Sequence, residues 1–548
     1  MNTYTLRVPN PHSHVVEICF EATGLTEPIT EICLPLWRPG RYQLQDYPKN
    51  ILALNVVDRE GSAIHFAKKS KGCWTVPTPA DGRLKVNYSY YANQLDAGAS
   101  YVDDSQIYIN PCNCFLYVNG QEEEPCSLQV DVPENYTVAT NLPTISSNNE
   151  YIAKDYHEMA DSPFVASPDM QHVKFELNES LIHIWIQGEF ECDMNELLAK
   201  TESYCNYQMN FFGDLPSKDY HFIYQMLPWA FHHGVEHCDS TVIALGPDKS
   251  FERKAFYNEW MGVSCHEFFH LWNVKRIRPT EMLPYDYGRE NYSTLGWVYE
   301  GVTTYYGDLI CLRTKVVDFE GWATVFNKHL NKHFDNAGRY NLSLAASSFD
   351  TWLDGYQPGV PNRKVNIYTE GMLAAIILDS YIRQKTDHVK SLDELMRSLY
   401  TNFYKKEKGY TEKDYQSIAE NLCGESLQWY FDEVINGCGY IEKYLPEALE
   451  FLGMELEITP SKDILARRFG LREKMDGVTV WPGSPADKAG IDHNHLLESF
   501  DENTSEAMLS YFGRKETRML KSDGKEYFNS YAVRPSGRNQ ENFEKWLK

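Results

Sequence analysis

Two histidines and a glutamate stand at metal-site spacing in HEFFHLWNVKRIRP, residues 266–279. On a helix, His266 and His270 project from one face, one turn apart, close enough to bind a single metal ion. Glu267 lies beside them and is placed to act as a general base towards water. Hydrolytic zinc sites commonly use two histidines and one glutamate, although cobalt or manganese also accept such ligands. The segment predicts one hydrolytic zinc ion per chain.

The third ligand is expected in WVYEGVTTYYGD, residues 297–308, an aromatic-rich run with helical character. Taken alone, Glu300 in this run is a typical salt-bridged surface carboxylate. Zinc hydrolases need a third protein ligand and leave the fourth position open, so the upstream motif favours Glu300 as that ligand.

A substrate-binding strand is indicated by FHHGVEHCDS, residues 231–240, which lies between the strand-like runs HFIYQM and TVIAL. As an edge strand beside a cleft, it would offer backbone groups around Gly234 to an extended peptide. Glu236 would then meet a substrate ammonium group. The alternative is a turn that carries a solvated acid, and the residues alone fit both interpretations equally.

A tyrosine opens the apolar run VNIYTEGMLAAIILDSYI, residues 365–382, which predicts a turn followed by a buried helix. Tyr368 is placed to donate its hydroxyl to an oxyanion. A tyrosine at a helix start is more often simply packed, and the residues alone leave both roles open.

The elements that must position these residues fall into three parts. Up to about residue 190, short alternating apolar runs spaced by turns predict a β-sandwich. From about residue 193 the apolar spacing becomes helical. GVTVWPGSPADKAGI, residues 477–491, predicts a strand, a turn and a helix start. We therefore expect a multidomain α+β chain, with domains at 1–190, 191–450 and 451–548.

The composition narrows the classes of partner and the compartment. The 548 residues carry 52 basic and 77 acidic side chains, a net charge of −25, which argues against nucleic acid as a partner. No window is apolar enough to span a membrane, and no secretory signal is visible at the start. Thirteen scattered cysteines suggest reduced thiols. We expect a cytoplasmic protein, or a periplasmic or secreted one if a signal peptide has been removed.

These segments together resemble the glycyl aminopeptidase family of gluzincin metallopeptidases. LWRPGRYQLQDYPKNI, residues 36–51, is similar to the family's Trp-x-Pro-Gly-x-Tyr segment, and residues 266–279 resemble its zinc signature. WVYEGVTTYY is similar to the run that carries the third ligand. The resemblance implies an N-terminal β-sandwich, a thermolysin-like, mostly helical catalytic domain and a C-terminal PDZ domain.

The resemblance also implies roles for the residues of the site. His266, His270 and Glu300 would hold zinc, and Glu267 would be the base. HGVEHCDS resembles the family's Gly-Gly-x-Glu-His element, which makes Glu236 the anchor for the free α-amine.

Two departures from the family pattern carry expectations of their own. In the Gly-Gly-x-Glu-His element, His233 replaces the first glycine, while Gly234 is kept. IYTEG, residues 367–371, resembles a Tyr-Tyr-x-Lys-Gly element, with Ile367 in place of the first tyrosine, and supports Tyr368 as the oxyanion donor. Glu370 replaces the lysine of that element, and its negative charge is expected to alter substrate preference.

A PDZ-like domain is expected at the C-terminus, because GVTVWPGSPADKAGI resembles the strand-turn-helix signature of such domains. FGL, residues 469–471, would form the carboxylate-binding loop for a protein C-terminus. The Gly-Asp that usually follows is missing, since the chain reads DHNHLLESF, so a degenerate domain is one option.

The function predicted is a zinc-dependent aminopeptidase that acts on peptides with a free N-terminus. The resemblance adds a preference for Gly or Ala as the first residue. The alternatives are a zinc endopeptidase that recruits substrates through the PDZ-like domain, and a binding protein without catalysis. Blocking the substrate amine distinguishes the first two, and zinc content tests the third.

Overall fold

A computed structural model of the chain describes all residues except 147, 192, 249–252, 357–358 and 475–476. Its first part is β-rich. A seven-stranded sheet contains, in spatial order, Thr144–Ser146, Glu150–Ala153, Cys126–Asp131, Asn2–Arg7, Val15–Thr23, Arg83–Tyr91 and Ile51–Val57. Two four-stranded sheets accompany it: Tyr117–Val118, Ile29–Cys33, Cys73–Pro77 and Ala67–Ser70, and Thr137–Thr140, Phe164–Ser167, Ile107–Ile109 and Tyr101–Val102.

The strands form where apolar and polar residues alternate. In Val15–Thr23, every second side chain is buried and those between are partly or fully exposed. Successive side chains of a strand point to opposite faces, so this spacing places one face on the core and the other towards water. The N-terminal β-rich architecture expected from the sequence is therefore present.

A further sheet of five strands leads from the β-rich part into the helical part. Its spatial order is Gln171–Leu177, Ser180–Gln187, Asp219–Met226, Ser240–Gly246 and Phe231–Glu236. Ser180–Gln187 pairs with Asp219–Met226 in the parallel direction. The domain boundary expected at residue 190 therefore falls between two paired strands of one sheet. Phe231–Glu236, called here the cleft strand, lies at the edge of this sheet.

Helices dominate the middle of the chain. The α-helices are Pro111–Cys114, Tyr156–Ala160, Met194–Phe212, Arg253–Phe269, Thr303–Arg313, Phe319–Phe334, Leu344–Phe349, Thr351–Asp354, Ile367–Lys385, Leu392–Asn402, Glu412–Cys423, Ile441–Phe451, Pro485–Lys488 and Gln540–Trp546. The π-helical turns are Trp297–Val302, Tyr430–Ile435 and Leu465–Phe469, and the 3₁₀ turns are Pro11–Ser13, Tyr47–Asn50, Thr280–Met282, Ala337–Tyr340 and Tyr404–Lys406. None of the described helices is long and apolar enough to cross a membrane.

Local sequence signals set the ends of several helices. Ser391 and Glu394 form a reciprocal capping box at the start of Leu392–Asn402, which satisfies backbone N–H groups that have no partner inside the helix. Gly213 adopts φ 93° directly after Met194–Phe212 and ends that helix in the left-handed conformation that glycine tolerates.

Two glycines let the helices around the site approach closely. Gly301 follows Glu300, and Gly371 lies one turn after Tyr368. A β-carbon on Gly301 would stand 2.3 Å from the Cα of Gly371, and one on Gly371 would stand 2.7 Å from the Cα of Gly301. The two backbones therefore touch directly, which fixes Glu300 relative to Tyr368.

The C-terminal part adds three small sheets and packs against the helices. Met454–Thr459 pairs with Ser530–Pro535, Leu471–Lys474 pairs with Gly477–Val480, and Leu496–Asp501, Glu506–Tyr511 and Arg514–Met519 form a third sheet. Trp546 donates a hydrogen bond from Nε1 to the Tyr305 hydroxyl at 2.9 Å, which anchors the chain end beside the helix that follows Glu300. The strand and the helix start expected in residues 477–491 are present as Gly477–Val480 and Pro485–Lys488, while the PDZ-like assignment stays a prediction.

Candidate active site

The structure brings the three predicted metal ligands together. His266 lies in the last turn of Arg253–Phe269, called here the HEFFH helix, and His270 follows its end. Glu300 comes from the π-helical turn Trp297–Val302. The Nε2 atoms of His266 and His270 are 3.0 Å apart, and the Glu300 Oε2 atom lies 3.8 and 3.4 Å from them. Ligands around tetrahedral zinc are about 3.3 Å apart, so the three atoms fit one ion.

A chain of hydrogen bonds orients His270. Its Nδ1 donates to the Asn273 carbonyl at 2.6 Å, which leaves Nε2 facing Glu300. The Asn273 side chain donates to the Thr303 hydroxyl and to the Val298 carbonyl, both at 3.0 Å. Partners of this kind set the orientation and basicity of a metal-binding histidine. Asn273 thus supports His270 through its carbonyl, and Thr303 supports Asn273.

The site attracts positive charge. Burial acts to lower the pKa of His270, but the carboxylates of Glu236 and Glu300 outweigh it and raise that pKa to about 10. The same field that favours a proton on His270 favours a metal cation beside it. The donor set, two imidazoles and one carboxylate, is the set that zinc accepts.

Three buried carboxylates face one another here. Glu236, Glu267 and Glu300 are 3%, 5% and 2% exposed, and none of them forms an ion pair with a Lys or Arg of the described residues. The Oε1 atom of Glu236 and the Oε2 atom of Glu267 have no hydrogen-bond partner. Burial raises the pKa of Glu267, and Glu236 and Glu300 add to that rise against the opposing effect of His270. Buried anions without partners are costly, so this arrangement suits cations supplied from outside the chain.

The cleft strand carries Gly234 and Glu236 to the same cavity. A β-carbon on Gly234 would lie 2.3 Å from the Glu267 Oε1 atom, so glycine lets the strand approach the HEFFH helix. Glu236 ends the strand, and its carboxylate atoms lie within 4.8 Å of ligand atoms of Glu267 and His270. His233 faces Asp96 of the β-rich part, with Nδ1 3.7 Å from the carboxylate.

The β-rich part contributes a loop to the site. In residues 38–41, called here the RPG loop, Gly40 has φ +81°, and a β-carbon there would stand 2.3 Å from the Glu236 Oε2 atom. Only glycine allows this backbone shape and this contact together. Arg41 lines the same cavity of about 630 Å³. The sequence related this segment to a family pattern but gave the segment no role in the site. The folded chain shows that it reaches Glu236.

Tyr368 stands beside the predicted metal ligands. It lies in the first turn of Ile367–Lys385, and its ring centroid is 6.5 Å from that of His266. Its hydroxyl is 3.4 Å from the hydroxyl of Tyr356, which also lines the cavity. Burial raises the pKa of Tyr368, so its hydroxyl keeps its proton. Tyr356 gave no signal in the sequence, because it lies in a loop without periodicity.

The basic run after the HEFFH helix is buried and paired. Lys275 donates to the Asp161 Oδ1 atom at 2.9 Å, and Arg276 lies 3.1 Å from the Asp239 carboxylate. Arg278 stacks on Tyr285, with 4.1 Å between the guanidinium carbon and the ring centroid. These cations hold structure together and do not line the cavity.

The loop FGL lies within a small hydrophobic core that is separate from the core around this site. Phe469 and Leu471 are 2% and 1% exposed. The Gly470 N–H donates to the Ala466 carbonyl at 3.2 Å, and the Trp481 N–H donates to the Gly470 carbonyl at 2.8 Å. The backbone at Gly470 is therefore already hydrogen-bonded within the chain.

Comparison with known proteins agrees with this arrangement. Residues 3–168 match the profile of the Peptidase M61 N-terminal domain, and residues 259–374 match that of the M61 glycyl aminopeptidase. The crystal structure of an aminopeptidase N family protein from Idiomarina loihiensis is 23% identical, covers 100% of both chains and superposes with a TM-score of 0.90.

A more distant likeness is to an M1 zinc metallopeptidase from Deinococcus radiodurans, in a mutant bound to a Tyr-Ser-Ala substrate. It is 14% identical, covers 80% of this chain and 93% of that one, and has a TM-score of 0.51. These structures share the fold. A search of curated protein sequences gives no match.

Proposed function

Since the chain belongs to the M61 glycyl aminopeptidase family and is a peptidase, we propose that it is a zinc-dependent aminopeptidase releasing the first residue of peptides with a free N-terminus. Glu236 carries the proposal. Its buried Oε1 atom has no partner, and the RPG loop lies directly against its other oxygen. A substrate ammonium would supply the missing charge through a strong, charge-assisted hydrogen bond. That anchor limits cleavage to the first peptide bond.

His266, His270 and Glu300 would hold the zinc ion, since their donor atoms form a triangle of the right size. When bound there, zinc supplies Lewis-acid polarisation and makes water acidic enough to react at neutral pH. Asn273 keeps the His270 ring in place through its carbonyl.

Glu267 is the proposed general base. Its raised pKa suits a carboxylate that accepts a proton from the attacking water and passes it to the leaving amine. The backbone of Gly234 lies against this carboxylate and limits its movement. The position of the base is therefore set by the same strand that carries the amine anchor.

Tyr368 is the proposed oxyanion donor. Its protonated hydroxyl stands at the cavity wall near His266, where a developing negative charge on the scissile carbonyl would need a hydrogen bond. We propose a small first residue, Gly or Ala: the family's description names glycine, and alanine has the next larger side chain. Relative kcat/KM values for Gly-, Ala-, Leu- and Phe-led peptides test that preference.

The test uses an Ala-Gly-led peptide beside its N-acetylated twin, with zinc-loaded protein. We expect hydrolysis of the free peptide alone. Glu267→Gln should reduce kcat by about 100-fold or more, and Glu236→Gln should reduce kcat/KM by about 30-fold or more, from at least about 2 kcal/mol. Glu320→Gln, an exposed carboxylate outside the cavity, is the matched control.

Two results would redirect the proposal. Equal cleavage of the acetylated peptide would remove Glu236 from amine binding and favour the endopeptidase alternative. We expect metal analysis to find one zinc ion per chain. A His266→Ala variant should lose both the zinc and the activity. A protein that binds no zinc and cleaves neither peptide would contradict the proposal.

A further inference from the structure

The cavity extends well beyond the amine anchor, along the HEFFH helix. At one end of the cleft strand, Glu236 lies near His270. At the other end, the Glu259 carboxylate is close enough to His232 to stabilise the protonated form of its imidazole. Glu259 precedes His266 by two helical turns, which is about 10 Å at 1.5 Å per residue. A peptide held at Glu236 and following the strand would place its second residue in this far half.

Part of the wall of the far half is apolar, beside polar side chains such as Glu259 and Lys328, which pair with each other. Val263, Val317 and Trp322 are 8%, 5% and 3% exposed and line it together with Val325. Gly262 leaves room in the middle of a helix, where glycine costs stability. A β-carbon added there would meet no atom within 4 Å. This half therefore has space for a long side chain with apolar flanks.

A carboxylate without a partner in the chain lies beside this apolar part of the wall. Thr304, Asp308 and Cys311 follow one another at spacings of four and three residues, so one face of their helix lines the cavity. The Asp308 Oδ2 atom is inaccessible to solvent and has no hydrogen-bond partner. Burial alone raises the pKa of Asp308 to about 7.

Outside the cluster of Glu236, Glu267 and Glu300, buried carboxylates of the described residues have partners within the chain, and Asp308 differs from them. Asp379 accepts bonds from Tyr305 and Arg383, and Glu370 pairs with His333. No ion pair or hydrogen bond links the Asp308 carboxylate to any described residue. An unpaired acid in a cavity marks a place where a ligand supplies the partner.

We propose that the far half of the cavity binds the second residue of the substrate and that Asp308 selects lysine or arginine at that position. The apolar part of the wall suits the methylene stem of such a side chain. The charged end then meets a carboxylate that otherwise has no partner. This subsite rests on the proposed aminopeptidase function, because the amine anchor sets which residue lies there.

The experiment compares two peptides with zinc-loaded protein, Ala-Lys-Ala-Gly and Ala-norleucine-Ala-Gly. Norleucine keeps the apolar stem and lacks the ammonium. We expect kcat/KM to favour lysine by about tenfold or more, as for hydrogen bonds to charged groups. Asp308→Asn should bring that ratio to within about threefold of one, whereas Glu320→Gln should keep the wild-type ratio.

A binding measurement separates the subsite from the catalytic proposal. Calorimetry with the zinc-loaded Glu267→Gln protein should show tighter binding of the lysine peptide, and Asp308→Asn in the same background should remove the difference. Lysine-selective binding without hydrolysis by the wild type would keep the subsite and refute the aminopeptidase. Hydrolysis of both peptides at equal rates, or an unchanged ratio in a folded Asp308→Asn protein, would overturn the subsite.

Discussion

Asp161 holds together three segments around the site, and removing its charge should weaken all of them. Its Oδ1 atom accepts hydrogen bonds from Lys275 at 2.9 Å and from His237 at 3.0 Å, and its Oδ2 atom accepts from the Cys238 N–H at 2.8 Å. Lys275 follows the HEFFH helix, and His237 follows Glu236 directly. The perturbation we choose is Asp161→Asn, which keeps the shape and removes the charge.

The expected cost follows from burial. The Lys275 side chain is 0% exposed and that of Asp161 is 10% exposed, so the pair lies in a low-dielectric region. Breaking a buried pair by removing one partner costs about 3–5 kcal/mol, because the remaining charge has no compensation. Replacing both partners by apolar groups is often close to neutral. Lys275 also interacts electrostatically with Glu236, so the unpaired ammonium would compete with a substrate amine.

Urea denaturation followed by tryptophan fluorescence measures the effect. The free energy of unfolding should fall by about 3–5 kcal/mol in Asp161→Asn. It should recover in part when Lys275→Met is added, because the unpaired ammonium is gone and the asparagine oxygen still accepts from the Cys238 N–H. Asp46→Asn breaks an exposed pair with Lys71 and should cost less than about 1 kcal/mol. The reasoning is refuted if Asp161→Asn costs no more than Asp46→Asn, or if the double variant loses at least as much as Asp161→Asn.

The effect should also depend on pH. Burial acts to raise the pKa of Asp161, but Lys275 and His237 outweigh it and leave that pKa well below its ordinary value. A carboxyl with a depressed folded-state pKa contributes stability above its unfolded pKa of about 4 and loses it as the pH falls towards the folded pKa. The difference between wild type and Asp161→Asn should therefore be full at pH 6 and shrink below about pH 4.

Three further variants test the geometry of the site. Asn273→Ala should weaken zinc binding by about 10–100-fold in a competition assay with a chelator, because the Asn273 side chain fixes the loop whose carbonyl orients His270. Gly371→Ala should lower the free energy of unfolding by about 1–3 kcal/mol or more, since its β-carbon would press on the backbone of Gly301. Tyr368→Phe should reduce kcat by about 100-fold with little change in KM, as for loss of one oxyanion donor.

Local spacing made part of the site predictable. His266 and His270 are separated by one helical turn, so their shared face follows from the HEFFH motif alone. The helical texture after residue 193 and the alternation before residue 190 likewise follow from periodicity. Glu300 needed a chemical argument, namely that a hydrolytic zinc site lacks a ligand without it. The structure brings these three side chains to one place, while their role as ligands stays a proposal.

Contacts between distant segments were not predictable in this way. Gly40 lies in the β-rich part, and nothing in its local sequence shows that it meets Glu236. The pairing within the five-stranded sheet was not predictable either. The sequence of Ser180–Gln187 predicts an alternating strand like those before it, but its pairing with Asp219–Met226 depends on tertiary packing. Propensity and periodicity describe an element by itself, whereas these features depend on what the element packs against.

Glu370 shows how helix geometry limits the meaning of a substitution. The sequence led us to expect that its charge would alter substrate preference, because it replaces a lysine two residues after Tyr368. On the helix the two side chains point in different directions, and Glu370 is 3% exposed with its carboxylate 2.8 Å from the His333 Nδ1 atom. Tyr368 lines the cavity and Glu370 does not. The charge therefore acts on the packing of Ile367–Lys385 against Phe319–Phe334, and selectivity in this cavity depends on residues that face it, Asp308 among them.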